Sequence, residues 1–98
     1  MNSGEGFESI GWRFSPEIVF DRRRLLVFLG GLTVERMKAV FITDAGVVGC
    51  NMTEDALTEV ILDDCLESRI EIIASRIDPG WEKELVACID RRFERGPD

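Results

Sequence analysis

The sequence predicts an α+β domain, an antiparallel-rich sheet of four to five strands with two helices on one face. Three observations lead there. Ile10, Trp12 and Phe14 alternate with Gly11 and Arg13, which is the two-residue period of a half-buried strand. Leu25, Leu26, Phe28, Leu29 and Leu32 recur at helical spacing. Ile70-Glu71-Ile72-Ile73-Ala74-Ser75 reads as a strand and runs into a helix start at Asp78-Pro79. A chain of 98 residues with 45% hydrophobic side chains fits one domain, residues 7–93, between polar ends at 1–6 and 94–98. At that size it can bury a core without a metal or disulfide staple.

The first strand, 9–14, stops before Pro16, which interrupts a sheet ladder. Asp21 then offers an N-cap, Phe20 is placed to staple onto Leu25, and Gly30-Gly31 supplies the helix stop. Residues 37–43 are β-rich and apolar on both faces, as a central strand requires. Thr43-Asp44-Ala45-Gly46 follows as a short turn with glycine at the left-handed position, and Val47-Val48-Gly49-Cys50 completes a hairpin. Residues 53–67 satisfy two periods: Thr58, Val60 and Leu62 alternate like a strand, while Leu57, Val60 and Ile61 fit a helical turn. An edge strand is expected there. The second helix is expected to take Asp78 as N-cap and Pro79 at its first position, and to bury Trp81, Leu85, Cys88, Ile89 and Phe93. Arg91, Arg92 and Arg95 would suit its negative pole, and Gly96-Pro97 would end it. This order packs as a ferredoxin-like sandwich in outline, an architecture that hosts many functions.

The formal net charge of −7, from 19 acidic and 12 basic residues, argues against nucleic acid and anionic membranes as partners. Arg22-Arg23-Arg24 reads as a solvated first helical turn rather than a phosphate contact. No apolar run approaches the roughly 20 residues of a membrane span, and residues 1–11 do not read as a secretory signal, so a cytoplasmic protein is expected. Cys50, Cys65 and Cys88 are widely spaced without a CxxC pair and are expected to be reduced and packed. There is no histidine, and hence no instance of the commonest general base. Neither a GxxxxGK[ST] loop nor a GxGxxG or GxSxG motif occurs. Asp63, Asp64 and Glu67 are the remaining acid candidates, and acids beside an apolar strand read as a solvated edge. No catalytic, nucleotide-binding or metal-binding residue is assigned, and the chain is not expected to be an enzyme.

Several short signatures stand in a telling order. They are Gly11-Trp12-Arg13-Phe14 with Pro16-Glu17 and Phe20-Asp21, then the run from Glu35 through Arg36-Met37-Lys38-Ala39 to Gly46, then Glu67-Ser68-Arg69-Ile70-Glu71-Ile72-Ile73, then a terminal helix with Cys88. Together they resemble the C-terminal domain of the CobW family, the cobalamin-synthesis-protein-like, metal-handling GTPases, over roughly residues 8–90. Arg36 and Lys38 match that family's strand motif, while Ala39 and Ala74 stand where glycine is usual. The resemblance implies a non-catalytic accessory domain of a GTPase metallochaperone, concerned with metal delivery and related to cobalamin biosynthesis. It implies GTP with Mg, and Zn or Co, only for the GTPase domain, which is not found in this sequence. The implied partner is a CobW-type GTPase domain, in cis or in trans, or a metalloprotein client, and self-association is compatible with it. The alternative is a stand-alone small-ligand or metal-binding domain using Cys50, Cys65 and nearby acids.

Arg36 and Lys38 lie two apart on a strand and share a face that Val40 and Ile42 continue as an apolar stripe. If the helices cover the face of Met37, Ala39 and Phe41, then Arg36, Lys38, Val40 and Ile42 form an exposed patch with a basic end. Arg69 and Trp12 are expected to extend this candidate interface.

Overall fold

A computed structural model describes residues 6–54 and 56–93. The elements in chain order are β1 (Glu8–Phe14), α1 (Arg22–Gly30), β2 (Arg36–Thr43), β3 (Gly46–Thr53), β4 (Ala56–Leu62), β5 (Ser68–Ala74) and α2 (Trp81–Val86), followed by a 3-10 turn at Arg91–Phe93. The five strands form one sheet in the order β1-β5-β2-β3-β4, with every neighbouring pair antiparallel. β2 sits in the middle, as its apolar character on both faces demands, and the ambiguous segment forms the edge strand β4. β5 separates β1 from β2, so these two run parallel and α1 makes the crossover between them.

Strand parity sorts the side chains into two faces. Met37 stands opposite Met52 and Ile72, Ala39 opposite Cys50 and Ile70, and Phe41 opposite Val48, and all of these are buried. Leu25 and Leu29 of α1 and Trp81 and Leu85 of α2 cover that face and complete the core. Phe20 lies at its centre, edge-to-face with Phe14 at 5.1 Å and with Phe41 at 4.9 Å between ring centroids. Among the described residues no helix is long and apolar enough to cross a membrane.

Local signals act where expected at two turns. The Asp21 carboxylate accepts from the Arg24 amide at 2.9 Å, the N-cap of α1. Gly46 takes φ +108°, closing the β2–β3 hairpin in a conformation that disfavours a side chain. Gly31 follows α1 as expected, but with φ −92°, so the helix stops there without a left-handed cap.

The second helix departs from expectation. It opens at Trp81 with Gly80 as N-cap, while Asp78 instead accepts from the Gly80 amide at 2.7 Å. It closes at Val86, where a continuous helix to Phe93 was expected. The reason is tertiary. Phe20 bridges Ile89, the Asp21 amide donates to the Cys88 carbonyl at 2.7 Å, and the Asp90 amide donates to the Val19 carbonyl at 2.8 Å. These bonds recruit the backbone that helical continuation would have used. Trp81, Leu85, Cys88 and Ile89 are nevertheless buried as expected, Cys88 from the turn after the helix and Ile89 from its bridge to Phe20. Arg91 and Arg92 fall in the following turn rather than at a helix end, while Arg95, Gly96 and Pro97 lie outside the described residues.

Candidate functional site

Among the described residues no helix covers the second face of the sheet. Arg36 and Lys38 are exposed there, with Val40 and Ile42 half-buried between their neighbours on β3 and β5. Lys38 stands opposite Glu71 and Asn51, Val40 opposite Arg69 and Gly49, and Ile42 opposite Val47. Arg69 therefore lies on the same face as Arg36 and Lys38. Trp12 does not: it stands opposite the buried Ile70 and packs, half-buried, against the core. Its parity is that of Ile10 and Phe14, so it cannot also reach the uncovered face.

The charges on this face are unlike those of the chain as a whole. Its described strand residues include four cations, Arg13, Arg36, Lys38 and Arg69, against one acid, Glu71. Glu67, in the turn before β5, accepts from Arg13 Nε at 2.6 Å and neutralises one of the four. Two shallow depressions cross the face. One of about 670 Å³ is lined by Gly11, Arg36, Lys38 and Ile73, among others, and one of about 510 Å³ by Val40, Gly49, Val60 and Leu62, with Lys38, Asn51 and Glu71 shared. At Gly49 a Cβ would lie 3.1 Å from Leu62 Cδ1 and 3.3 Å from Val60 Cγ2, so the missing side chain lets β4 lean across β3.

The thiols are shielded to different degrees. Cys50 and Cys88 are buried, and burial pushes each up to about 11, far above a thiolate at neutral pH. Cys88 Sγ donates to the Glu84 carbonyl at 3.4 Å. Cys65 is half-buried and also raised, chiefly by burial. The acid across the ladder from Cys50 is Glu59, and it is engaged: Arg22 grips it in a two-pronged pair at 2.8 and 2.6 Å. That pair holds Glu59 below the usual carboxylate range and ties the edge of the sheet to α1. Arg22 is thus an ion-pair partner, while Arg23 and Arg24 are exposed, as a solvated first turn would be. Asp63 and Asp64 are exposed beyond β4, and Asp64 accepts from the next amide, that of Cys65, at 2.8 Å.

One acidic group escaped the sequence reading. The carboxylates of Asp21, Asp44 and Asp90 lie within 4.8 Å of one another, a group of three among the described residues. Each already accepts from this chain. Asp21 caps α1, Asp44 accepts from the Arg22 amide at 2.9 Å, and buried Asp90 receives both the amide and the guanidinium of Arg92. Arg92 holds Asp90 below its ordinary range and also reaches Asp44 at 3.5 Å. The group knots the start of α1, the hairpin and the turn after α2. No short-range pattern announces it, because the three residues are distant in sequence.

Comparison with known proteins adds one finding. The chain is 36% identical over 96 residues to the Zinc chaperone YeiR of Escherichia coli (strain K12), a similarity covering 95% of this chain. The chain spans about 28% of the length of that relative. No family model matches the sequence. No solved structure matches it significantly.

Proposed function

We propose that this chain is the C-terminal accessory domain of a CobW-type, metal-handling GTPase. It has no catalytic residues of its own and docks through its uncovered sheet face on the GTPase domain or on a metalloprotein client. The similarity to a zinc chaperone along nearly the whole chain carries the reading, since that relative belongs to the same family that the sequence motifs resemble. Its much greater length is consistent with a catalytic part outside the matched region. The arrangement of the site supports the docking role. A sheet face that is apolar at Val40 and Ile42 and cationic at Arg36, Lys38 and Arg69 suits a partner surface of mixed acidic and apolar character. In this reading GTP, Mg and the delivered metal bind elsewhere in the assembly, and this face sets how the parts sit together.

The test is charge reversal. Two rim contacts worth about 0.5–1 kcal/mol each, lost and replaced by repulsion, amount to about tenfold in affinity. Arg36→Glu with Lys38→Glu should therefore weaken binding to the matching GTPase domain at least about tenfold at low salt. Both residues are exposed, so circular dichroism should be unchanged. Equal affinity for the folded variant and the native chain would overturn the docking surface.

A further inference from the structure

Among the described residues five large apolar side chains are exposed, and four of them, Val60, Ile61, Leu62 and Leu66, lie on β4 or in the loop that follows it. This clustering falls on an open edge. Among the described residues β4 pairs with β3 on one side, in a register without a bulge, and ends the sheet on the other. The backbone groups on that outer side are a template for another strand. Edge strands are commonly blunted by lysine, proline, a bulge or an unpaired inward charge. From Ala56 to Leu62 there is no lysine and no proline, and the charge that points inward, Glu59, is neutralised by Arg22. The helix layer also stops short of the strand's end, leaving Ile61 69% exposed on the side that faces the helices elsewhere.

The charge around the edge says what fits it. Residues 53–67 contain six acids and no basic residue, and Glu54, Asp63 and Asp64 are exposed at the two ends of β4. A second copy of this chain would bring the same acids and a net charge of −7 to the contact. We propose that the β4 edge binds an extended segment of a partner protein by strand addition, the segment having alternating apolar residues flanked by lysine or arginine. Main-chain hydrogen bonds to β4 hold the segment, Val60 and Leu62 meet its side chains on one face and Ile61 on the other, and the acids at either end pair with its basic flanks. The strand's seven residues span about 23 Å, which sets the length of the paired segment. Val60 and Leu62 also border the uncovered face near Lys38, whereas Ile61 projects from the opposite face of the strand, so substitution of Ile61 tests the edge apart from the role proposed for Arg36 and Lys38.

The probe is a labelled nine-residue peptide, Lys-Lys-Val-Thr-Val-Thr-Ile-Lys-Lys, with its counterpart bearing glutamates in place of the lysines. Fluorescence anisotropy with the 98-residue chain should show the basic peptide binding at least about tenfold tighter in 50 mM salt, with the preference shrinking as salt rises. Amide NMR shifts should fall on residues 56–62 and not on β1, the other edge. Ile61→Lys should lose the binding about tenfold with an unchanged circular dichroism spectrum. Equal binding of the two peptides, shifts centred away from β4, or full affinity in the folded Ile61→Lys chain would overturn the proposal. So would sedimentation showing a dimer whose β4 amides are protected, because a second copy would then own the edge.

Discussion

Replacing Ser68 by alanine removes one hydroxyl and should destabilise the domain out of proportion to its size. Ser68 is wholly buried at the start of β5, just beyond the point where the β2–β5 ladder ends at Val40 and Arg69. There the Ile42 amide donates to Ser68 Oγ at 2.8 Å, while the Ile42 carbonyl accepts from the Phe20 amide at 2.9 Å. The hydroxyl thus completes the ladder at the place where β2, β5 and the Phe20 segment meet. Alanine leaves the Ile42 amide without an acceptor, and the fully buried site gives water no route to replace it. Stranding a buried donor costs about 1–3 kcal/mol. For a domain of this length each kcal/mol moves the melting temperature by about 4–8 °C, so a fall of about 4–24 °C is expected. Thermal unfolding followed by circular dichroism measures it. Thr58→Ala is the matched control, because the Thr58 hydroxyl donates to the Asn51 carbonyl at 3.4 Å from an exposed position and should matter little. If Ser68→Ala costs no more than Thr58→Ala, the Ile42 amide does not depend on this hydroxyl and the reasoning fails.

Two further outcomes follow from the titrating groups. Arg22 holds Glu59 and Arg92 holds Asp90 below the ordinary carboxylate value, so their contribution to stability is present above about pH 4 and is lost as pH falls through the lowered folded values. Urea midpoints should accordingly drop on acidification, and Glu59→Gln should make that acid limb shallower; an unchanged pH profile in this variant would show that the pair does not couple to folding. Burial pushes Cys50 and Cys88 up to about 11, which leaves about one thiol in a thousand ionised at pH 8. A thiol reagent at that pH should label Cys65 first and reach Cys50 and Cys88 only on denaturation, as mass spectrometry of the labelled peptides would show; rapid labelling of native Cys50 would restore the metal-binding alternative.

What the sequence made legible was local. The alternation of Ile10, Trp12 and Phe14, the cap at Asp21, the doubly apolar strand around Phe41 and the glycine at position 46 each rest on neighbours within a few residues, and each is realised. The failures have long-range causes. α2 stops at Val86 because the chain around Phe20, some 70 residues earlier, claims the Cys88 carbonyl and the Asp90 amide. The Asp21-Asp44-Asp90 knot and the Ser68–Ile42 bond likewise join residues that only the fold brings together. Trp12 differs in that its alternation with Ile10 and Phe14 alone places it on the buried face, opposite Ile70 and away from the outer patch.

Net charge is the clearest case of an average that the fold takes apart. A total of −7 describes the field that a distant polyanion meets, and it argues against such partners as long as the charges act together. At physiological salt that field decays over about 8 Å, so a partner in contact responds to the side chains beneath it and hardly to the total. The sheet separates those side chains by strand parity. Arg36, Lys38 and Arg69 fall on the uncovered face, while Glu54, Asp63 and Asp64 gather at the ends of the β4 edge. One small domain therefore presents a cationic face and an acidic edge. An acidic, partly apolar partner surface and a basic extended segment can engage them together, and the two contacts should weaken in parallel as salt rises while responding to different substitutions, Arg36→Glu with Lys38→Glu for one and Ile61→Lys for the other.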